Sequence, residues 1–200
     1  NFRDLRNILE GIKLLLEATP RTMDYVLSFG ERNAAFVISK AMQGIGLNAE
    51  FLDARNIIKT NREFASARVN FGKTNKNIVD YFSDHSAIQV VTGFIGAHTG
   101  GLTTTLGRGG SDYSAAILGA ALKADRIEIW TDVDGILTSD PRKVKKAFSL
   151  PQLSYAEAME MSHFGAKVIY PPTIQPALEA DIPIYIKNTL NPTHPGTRIH

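Results

Sequence analysis

The first helix of the chain is indicated by the spacing of its apolar residues. Between Phe2 and Leu16 an apolar side chain recurs every third or fourth residue, with charged residues in the intervals. This period matches the turn of an α-helix and predicts an amphipathic helix over residues 2–17. Pro20 follows and is expected to end that helix.

The same reasoning divides the rest of the chain into helices and strands. Further helices are predicted at residues 23–27, 32–43, 76–82, 111–122, 154–163 and 172–180. Strands are predicted at residues 49–52, 87–94, 127–131 and 184–187. The last three of these strands are continuous apolar runs and are expected to be buried on both faces. Residues 95–106 are interpreted as a glycine turn joined to a threonine-rich strand.

Three local features complete this pattern. The segment 28–31 (SFGE) is interpreted as a break between two helices, and residues 53–75, which have the weakest pattern, as a lid or an insertion. Ser154 and Glu157 form the capping-box pattern that opens the helix at 154–163. Strands alternating with helices are typical of an α/β layered domain with a mainly parallel sheet.

Length and composition narrow the class of protein. The chain has 200 residues, 44% hydrophobic and 21% charged, as expected of a globular protein of one large or two small domains. Its net charge of +2 is too balanced to indicate nucleic acid or a membrane surface as a partner. The absence of cysteine excludes disulfides, thiol nucleophiles and zinc–thiolate sites. With no visible signal peptide or membrane-spanning run, a cytoplasmic location is expected.

A glycine-rich turn, Leu106-Gly-Arg-Gly-Gly-Ser-Asp112, stands at the start of the helix predicted at 111–122. Glycines at a helix start let several backbone N–H groups approach a ligand, and the helix dipole favours an anion there. Ser111 is expected to cap the helix, and Arg108 adds a forked cation suited to carboxylate or phosphate. The pattern predicts an anion site; the alternative is a flexible turn with a solvated arginine.

Three familiar motifs are begun in this sequence but not completed. The glycine turn starts like a dinucleotide fingerprint, but Asp112 stands where the last glycine or alanine belongs. Residues 72–74 (GKT) end like a Walker loop, but Ala67 replaces its first glycine. Residues 132–135 (DVDG) start like a calcium loop, but Lys143 occupies the closing glutamate position. The five histidines are scattered and predict no metal site.

Four segments, taken in chain order, carry a specific resemblance. They are SFGE (28–31), LGRGGSDY (106–113), WTDVDGILTSDPR (130–142) and FGAKV (164–168). Together they resemble aspartate kinases (aspartokinases), of the amino-acid-kinase superfamily, over essentially the whole chain. The segments IKNT (186–189) and PGT (195–197) are most similar to the kinase part of bifunctional aspartokinase–homoserine dehydrogenases.

The resemblance implies a fold and a reaction. The fold would be the three-layer α/β sandwich of carbamate-kinase-like enzymes, with residues 1–122 binding aspartate and residues 123–200 binding the nucleotide. The reaction would transfer the γ-phosphoryl of ATP to the β-carboxylate of L-aspartate, in lysine, threonine and methionine biosynthesis. Magnesium would come with ATP, held largely by phosphate oxygens and water.

The resemblance also implies roles for individual residues. The implied substrate-binding residues are Glu31, Arg108, Gly109, Gly110 and Ser111. Glu31 would hold the substrate ammonium and Arg108 a substrate carboxylate. The implied catalytic residues are Asp112, which would orient a lysine, and Lys167. The implied nucleotide-binding residues are Thr131, Asp132, Leu137, Arg142, Lys167 and Val168. Without the resemblance, Glu31 would be interpreted as a helix first-turn charge and Lys167 as a solvated lysine.

The sequence departs from the family pattern in three respects. Family members begin with a strand carrying Lys-Phe-Gly-Gly-Thr-Ser, whose lysine stabilises the transferring phosphoryl, and no segment here matches it. We therefore expect an N-terminally incomplete kinase domain, and little or no kinase activity from these 200 residues alone. Leu137 stands where many relatives carry a tyrosine beside the nucleotide. The chain also stops at His200, before any ACT-type or dehydrogenase domain of the native protein.

Other functions stay open at this point. The nearest is another amino-acid kinase, such as a glutamate 5-kinase, against which the SFGE and GRGGSDYSAA segments argue. A non-catalytic module that binds nucleotide or aspartate and serves in assembly is a second, and an NAD-binding dehydrogenase domain is disfavoured by the incomplete fingerprint. A homodimer is expected only from family likeness.

Overall fold

The computed structural model describes residues 2–140, 142–163 and 170–200. The chain forms two compact units, Asn1–Ser111 and Asp112–His200. The helices are α1 (Phe2–Leu15), α2 (Pro20–Gly44), α3 (Phe71–Asp84), α4 (Gly110–Leu122), α5 (Tyr155–His163) and α6 (Pro171–Glu179). The strands are β1 (Ala49–Leu52), β2 (Lys59–Thr60), β3 (Ile88–Val91), β4 (Ile95–His98), β5 (Thr103–Thr105), β6 (Ile127–Thr131), β7 (Gln152–Leu153), β8 (Ile184–Asn188) and β9 (Thr197–Ile199).

The predicted break at residues 28–31 is wrong, because α2 runs without interruption from Pro20 to Gly44. Ser28 satisfies its hydroxyl within the helix by donating to the Tyr25 carbonyl at 2.7 Å, so it needs no turn. No heavy atom outside the helix lies within 4 Å of where a Cβ would stand on Gly30. Pro20 occupies the start of α2, where a missing N–H costs nothing.

The first unit holds two small sheets with helices packed on them. β1 and β3 pair in parallel, and α2 packs against both. β2 pairs in parallel with β4, which pairs antiparallel with β5, so the predicted glycine turn and threonine-rich strand are confirmed. The expectation that the 87–94 strand is buried on both faces is wrong: Ile88 is 50% exposed. The residues of β3 are apolar or polar side chains that are exposed or only partly buried.

The weakly patterned region 53–75 contains ordinary secondary structure in the described chain. A 3₁₀ turn covers Ala54–Asn56, β2 follows, and α3 begins at Phe71. Asn70 caps α3 by accepting a hydrogen bond from the Lys73 amide at 3.1 Å. Short elements of two or three residues carry too little periodicity for sequence pattern alone to reveal them.

The second unit is built on one mixed sheet with strand order β6-β8-β9-β7. β6 and β8 are parallel, β8 and β9 antiparallel, and β7 and β9 parallel. Along β8, burial alternates, so Ile184 and Ile186 enter the core while Tyr185 and Lys187 do not. The predicted burial of both faces is therefore wrong for this strand as well, and for β6, where Trp130 is 44% exposed. The core on the buried face also takes side chains from α4, α5 and α6.

Two further expectations are confirmed. The Ser154 amide and hydroxyl both donate to Glu157 Oε2 at 2.8 Å, and the Glu157 amide donates back to the Ser154 hydroxyl, which is the predicted capping box. Of the six strand pairings among the described residues, four are parallel, as expected of an α/β fold with mainly parallel strands. None of the described helices is both long and apolar enough to cross a membrane.

Candidate functional site

The glycine turn of the first unit has a backbone that only glycine adopts without strain. Gly107 and Gly109 have φ values of +79° and +67° on either side of Arg108. The Gly110 amide donates to the Gly107 carbonyl at 3.1 Å and closes the turn. A Cβ on Gly110 would lie 2.8 Å from the Phe94 ring. The glycines are therefore required by conformation and close packing, and they place Arg108 at the tip of the turn.

Arg108 is exposed and borders a cavity of about 530 Å³ within the first unit. Met23 and Leu27 of α2 and Phe94 contribute apolar walls, and Asp24 also lines the cavity. The sequence alone could not predict this cavity, because its walls come from segments far apart in the chain. It places a guanidinium at the rim of a concave surface, as a site for a small anion requires.

The start of α4 corrects one expectation. The helix begins at Gly110, so Ser111 lies within its first turn and is not its N-cap. The donors that this helix start offers an anion are thus backbone amides and not a capping hydroxyl. Asp112, also in the first turn, is partly buried, and burial raises the pKa of its carboxyl. Within the described residues Asp112 has no hydrogen-bond or ion-pair partner.

Glu31 lies on α2 in the first unit and is partly buried. Burial raises the pKa of its carboxyl, and among the described residues nothing donates a hydrogen bond to it. A partly buried carboxylate without a protein partner is costly. It is suited to bind a cationic group that a ligand brings.

A charged cluster in the first unit, which includes Arg32 next to Glu31 in the chain, was missed by the sequence reasoning. Arg55 donates two hydrogen bonds to the Asp53 carboxylate, from Nε at 2.9 Å and from Nη2 at 2.6 Å. It also donates to the Thr103 hydroxyl at 2.9 Å. The Arg32 Nε atom lies 3.6 Å from the same carboxylate. Lys59 donates to the Arg55 carbonyl at 2.7 Å, and burial lowers the pKa of its amine. Two guanidinium groups thus share the Asp53 carboxylate, and the Lys59 ammonium is held beside them by the Arg55 carbonyl.

In the second unit, polar residues follow the parallel strands β6 and β8 at the same edge of the sheet. Thr131 ends β6 and donates to Asp132 at 3.2 Å. Asp134 accepts hydrogen bonds from Asn188 at 2.8 Å and from Asn191 at 3.1 Å. The bond from Asn188 is the main cause of the lowered pKa of Asp134. Ligands of α/β sheets bind at carboxyl ends of strands, which is where the predicted residues Thr131 and Asp132 lie.

The loop after β6 is held in place by Thr197, the first residue of β9, and by Ser149. Thr197 accepts a hydrogen bond from the Ile136 amide at 2.8 Å and donates to the Leu150 carbonyl at 2.6 Å. Ser149 donates to the Asp134 carbonyl at 2.7 Å. Sequence reasoning missed Thr197 and Ser149, because neither carries a charge and their partners are distant in the chain.

Of the remaining residues predicted to bind the nucleotide, Leu137 and Arg142 lie in the part of the chain that the structure describes. Leu137 forms a β-bridge with Ser149 and is partly buried. The exposed Arg142 forms a two-bonded ion pair with Asp140, which lowers the pKa of that carboxyl to about 2. Lys167 and Val168 lie outside the described residues. No group of three or more potential metal ligands occurs in the part of the chain that the structure describes.

Known proteins resemble this chain in sequence along its whole length. The Amino acid kinase family matches residues 6–188. A bifunctional aspartokinase/homoserine dehydrogenase from Buchnera aphidicola is 41% identical over 199 residues, which cover 99% of this chain and 24% of that protein. A chloroplastic aspartokinase 2 from Arabidopsis thaliana is 41% identical over 204 residues, which cover 100% of this chain and 38% of that protein.

Solved structures resemble the fold. E. coli aspartokinase III in complex with aspartate and ADP superimposes with a TM-score of 0.90 at 36% identity, covering 98% of this chain and 46% of that one. Uridylate kinase from Archaeoglobus fulgidus, at 18% identity and a TM-score of 0.57, shares the fold alone. These matches confirm the expected α/β sandwich class. The chain spans between about a quarter and a half of the length of these aspartokinases. Since the family match extends over residues 6–188, the chain belongs to the amino acid kinase family.

Proposed function

We propose that this chain is part of the catalytic domain of an aspartate kinase, which transfers the γ-phosphoryl of ATP to the β-carboxylate of L-aspartate and forms 4-phospho-L-aspartate. The supporting observation is the likeness, at a TM-score of 0.90 over 98% of the chain, to an aspartokinase solved with aspartate and ADP. In the cell this reaction would supply lysine, threonine and methionine biosynthesis. Since the chain spans less than half of that enzyme, the activity is proposed for the longer protein that carries this sequence.

The proposed phosphoryl transfer depends on electrostatic stabilisation more than on acid–base catalysis. An aspartate side chain, with a pKa of about 4, is already ionised at neutral pH and needs no general base. The difficulty is to bring two anions together in line, so that positioned cations and amide donors carry the catalysis. In our proposal Arg108 binds a substrate carboxylate, supported by Gly109, Gly110 and Ser111. Glu31, partly buried and without a protein partner among the described residues, binds the substrate ammonium.

The nucleotide is assigned to the second unit. Thr131 and Asp132 at the end of β6 bind the nucleoside together with Leu137 and Val168, and Arg142 and Lys167 bind phosphates. Asp112 organises the phosphoryl-transfer centre by orienting a catalytic lysine. Magnesium would enter with ATP and would neutralise charge at the phosphates. It would be held mainly by phosphate oxygens and water.

Trapping the acyl phosphate with hydroxylamine tests the proposed reaction directly. The full-length protein should form aspartyl hydroxamate from aspartate and ATP, and should not form the glutamyl product from glutamate. We expect the 200-residue piece alone to show little or no turnover. Equal turnover by both would contradict the inactive-fragment prediction. A preference for glutamate would replace the function with that of a glutamate 5-kinase.

Calorimetry separates a ligand-binding module from an inert one. If the piece binds ADP and aspartate but the full-length protein transfers no phosphoryl group, the non-catalytic alternative is favoured. The wider proposal includes further domains of the ACT type and of the homoserine dehydrogenase type, the latter as in the name of the bifunctional relative. It also includes a homodimer and a cytoplasmic location, although relatives in Arabidopsis are chloroplastic.

Glu31→Gln should weaken aspartate binding without weakening the fold. Burial raises the pKa of the Glu31 carboxyl, so the folded chain disfavours its charge, and neutralising it should leave the melting temperature unchanged or higher. The folded chain binds a proton at Glu31 more tightly than the unfolded chain does, so stability should rise as pH falls through the raised pKa. Aspartate binding is lost over the same pH range. The expected rise in KM for aspartate is about tenfold.

The pH dependence provides the matched measurement. In the wild type, aspartate affinity should fall as pH drops through the raised pKa of Glu31, and Glu31→Gln should lack that step. The exposed Glu63, paired to Arg68 at 3.1 Å in the same unit, offers a control at Glu63→Gln, which should change neither KM nor the pH profile. A Glu31→Gln enzyme with wild-type KM would remove Glu31 from the site.

A further inference from the structure

A buried aspartate on α2 connects that helix to the strand that leads into the glycine turn. Asp24 is 1% exposed. Its Oδ2 atom accepts a hydrogen bond of 3.0 Å from the Thr105 amide, and Oδ1 accepts one of 2.8 Å from the Thr105 hydroxyl. Both carboxylate oxygens also accept from the Ala65 amide at 3.0 Å. All the partners are donors, which suits a group that only accepts.

These bonds join the two residues proposed to bind aspartate. Thr105 is the last residue of β5, and Arg108 follows it after Leu106 and Gly107. Glu31 lies two helical turns after Asp24 on α2, on the same side of the helix and about 10 Å along its axis. Asp24 therefore links the helix that carries Glu31 to the segment that carries Arg108.

We propose that Asp24 is a positioning residue for aspartate binding, which sets the place of Arg108 relative to Glu31. The inference rests on the proposed function. Asp24 borders the cavity at the turn, but its two oxygens are occupied by protein donors, so it acts through Thr105 and not on the ligand.

The glycine turn needs such an anchor because its own backbone is permissive. Gly107 and Gly109 both adopt the left-handed region, which glycine enters and leaves at little cost. Thr105 is fixed on two sides: Asp24 holds its amide and hydroxyl, and its carbonyl accepts from the Ala67 amide at 2.9 Å. Ala65, whose φ of +71° is unusual for a residue with a Cβ, is held by the same carboxylate.

Asp24→Asn in the full-length protein tests this role. Asparagine keeps the shape, but in either orientation its NH₂ group faces the Ala65 amide, which is also a donor, so at least one contact is lost even if the Thr105 hydroxyl turns to accept. We expect KM for aspartate to rise about tenfold or more while KM for ATP is unchanged. Hydrogen exchange should become faster at the Thr105 amide and across residues 107–110. Thr105→Val, which removes only the hydroxyl donor, should shift KM in the same direction by less.

Asn70→Ala provides the matched control for lost stability, because it removes the cap of α3 in the same unit without contacting the turn. It should lower the melting temperature and leave KM for aspartate unchanged. The proposal is overturned if Asp24→Asn behaves like Asn70→Ala, or raises KM for aspartate and ATP equally. Should Asp24→Asn fail to fold, a wild-type KM in Thr105→Val overturns it. Absence of aspartate phosphorylation by the wild type counts against the proposed function, while the exchange rates still test the anchor.

Discussion

Arg108→Ala should lower kcat/KM for aspartate about a thousandfold, equivalent to about 4 kcal/mol of transition-state stabilisation. The guanidinium stands between two left-handed glycines at the rim of the cavity, and among the described residues that line the cavity Arg108 is the only cation. Removing it leaves one carboxylate of a doubly acidic substrate without its cation while a second anion, ATP, must approach. The measurement is steady-state kinetics of the full-length enzyme with aspartate varied at saturating ATP.

Two further variants sharpen this test. Arg108→Lys should recover only a small part of the loss, because an ammonium cannot form the paired bonds of a guanidinium. Arg68→Ala removes an arginine of the same unit whose side chain is 82% exposed and paired to Glu63, and it should change kcat/KM by a factor of about five at most. If Arg108→Ala and Arg68→Ala have similar kinetics, Arg108 does not bind the substrate.

Gly196→Ala should destabilise the second unit by about 3 kcal/mol or more, the largest stability effect expected in this chain. Gly196 is buried and has a φ of +76°, a conformation that strains any residue with a Cβ. A Cβ there would also collide with the Ile186 carbonyl oxygen, a backbone atom of β8 that cannot rotate away. Since β9 begins at the next residue and pairs with β8, the collision disrupts the centre of the sheet.

The chain carries its own probe for this experiment. Its single tryptophan, Trp130, lies on β6, opposite Lys187 of β8 in the same sheet. Urea unfolding followed by tryptophan fluorescence therefore reports on the second unit. Gly46→Ala separates strain from collision, because Gly46 has a φ of +85° with no neighbour within 4 Å of an added Cβ. That variant, followed by circular dichroism, should cost only about 1–2 kcal/mol. Equal losses at the two positions would show that strain alone is responsible.

Sequence reasoning succeeded where a local pattern has one physical cause. The capping box at Ser154 needs only two side chains three residues apart, and both its bonds are present. The glycine turn was predicted from three glycines in four residues before a helix, and Gly107 and Gly109 adopt the left-handed conformation that glycine permits. The same reasoning failed at residues 28–31, where serine and glycine are typical of a turn but also fit within a long helix.

The sequence could not reveal the partners of Asp24 or Thr197. Asp24 looks like any helix-start acid, yet it binds the Thr105 amide and hydroxyl, 81 residues away in the chain. Thr197 looks like an unremarkable strand residue, yet it holds the Ile136 amide, 61 residues away. Hydrogen bonds of this kind depend on the final approach of distant segments, about which neither residue type nor local spacing carries information.

From its amino-acid order alone, the chain is an α/β protein with a glycine turn suited to an anion, and its four motifs in order resemble aspartate kinases. These properties are local or depend on composition, so neighbouring residues determine them. Only the tertiary structure decided that α2 is continuous, that burial alternates along β8, and that a buried carboxylate on α2 accepts hydrogen bonds from Thr105. Burial and long-range hydrogen bonds arise when separate segments pack together, and a linear pattern does not record which segments meet.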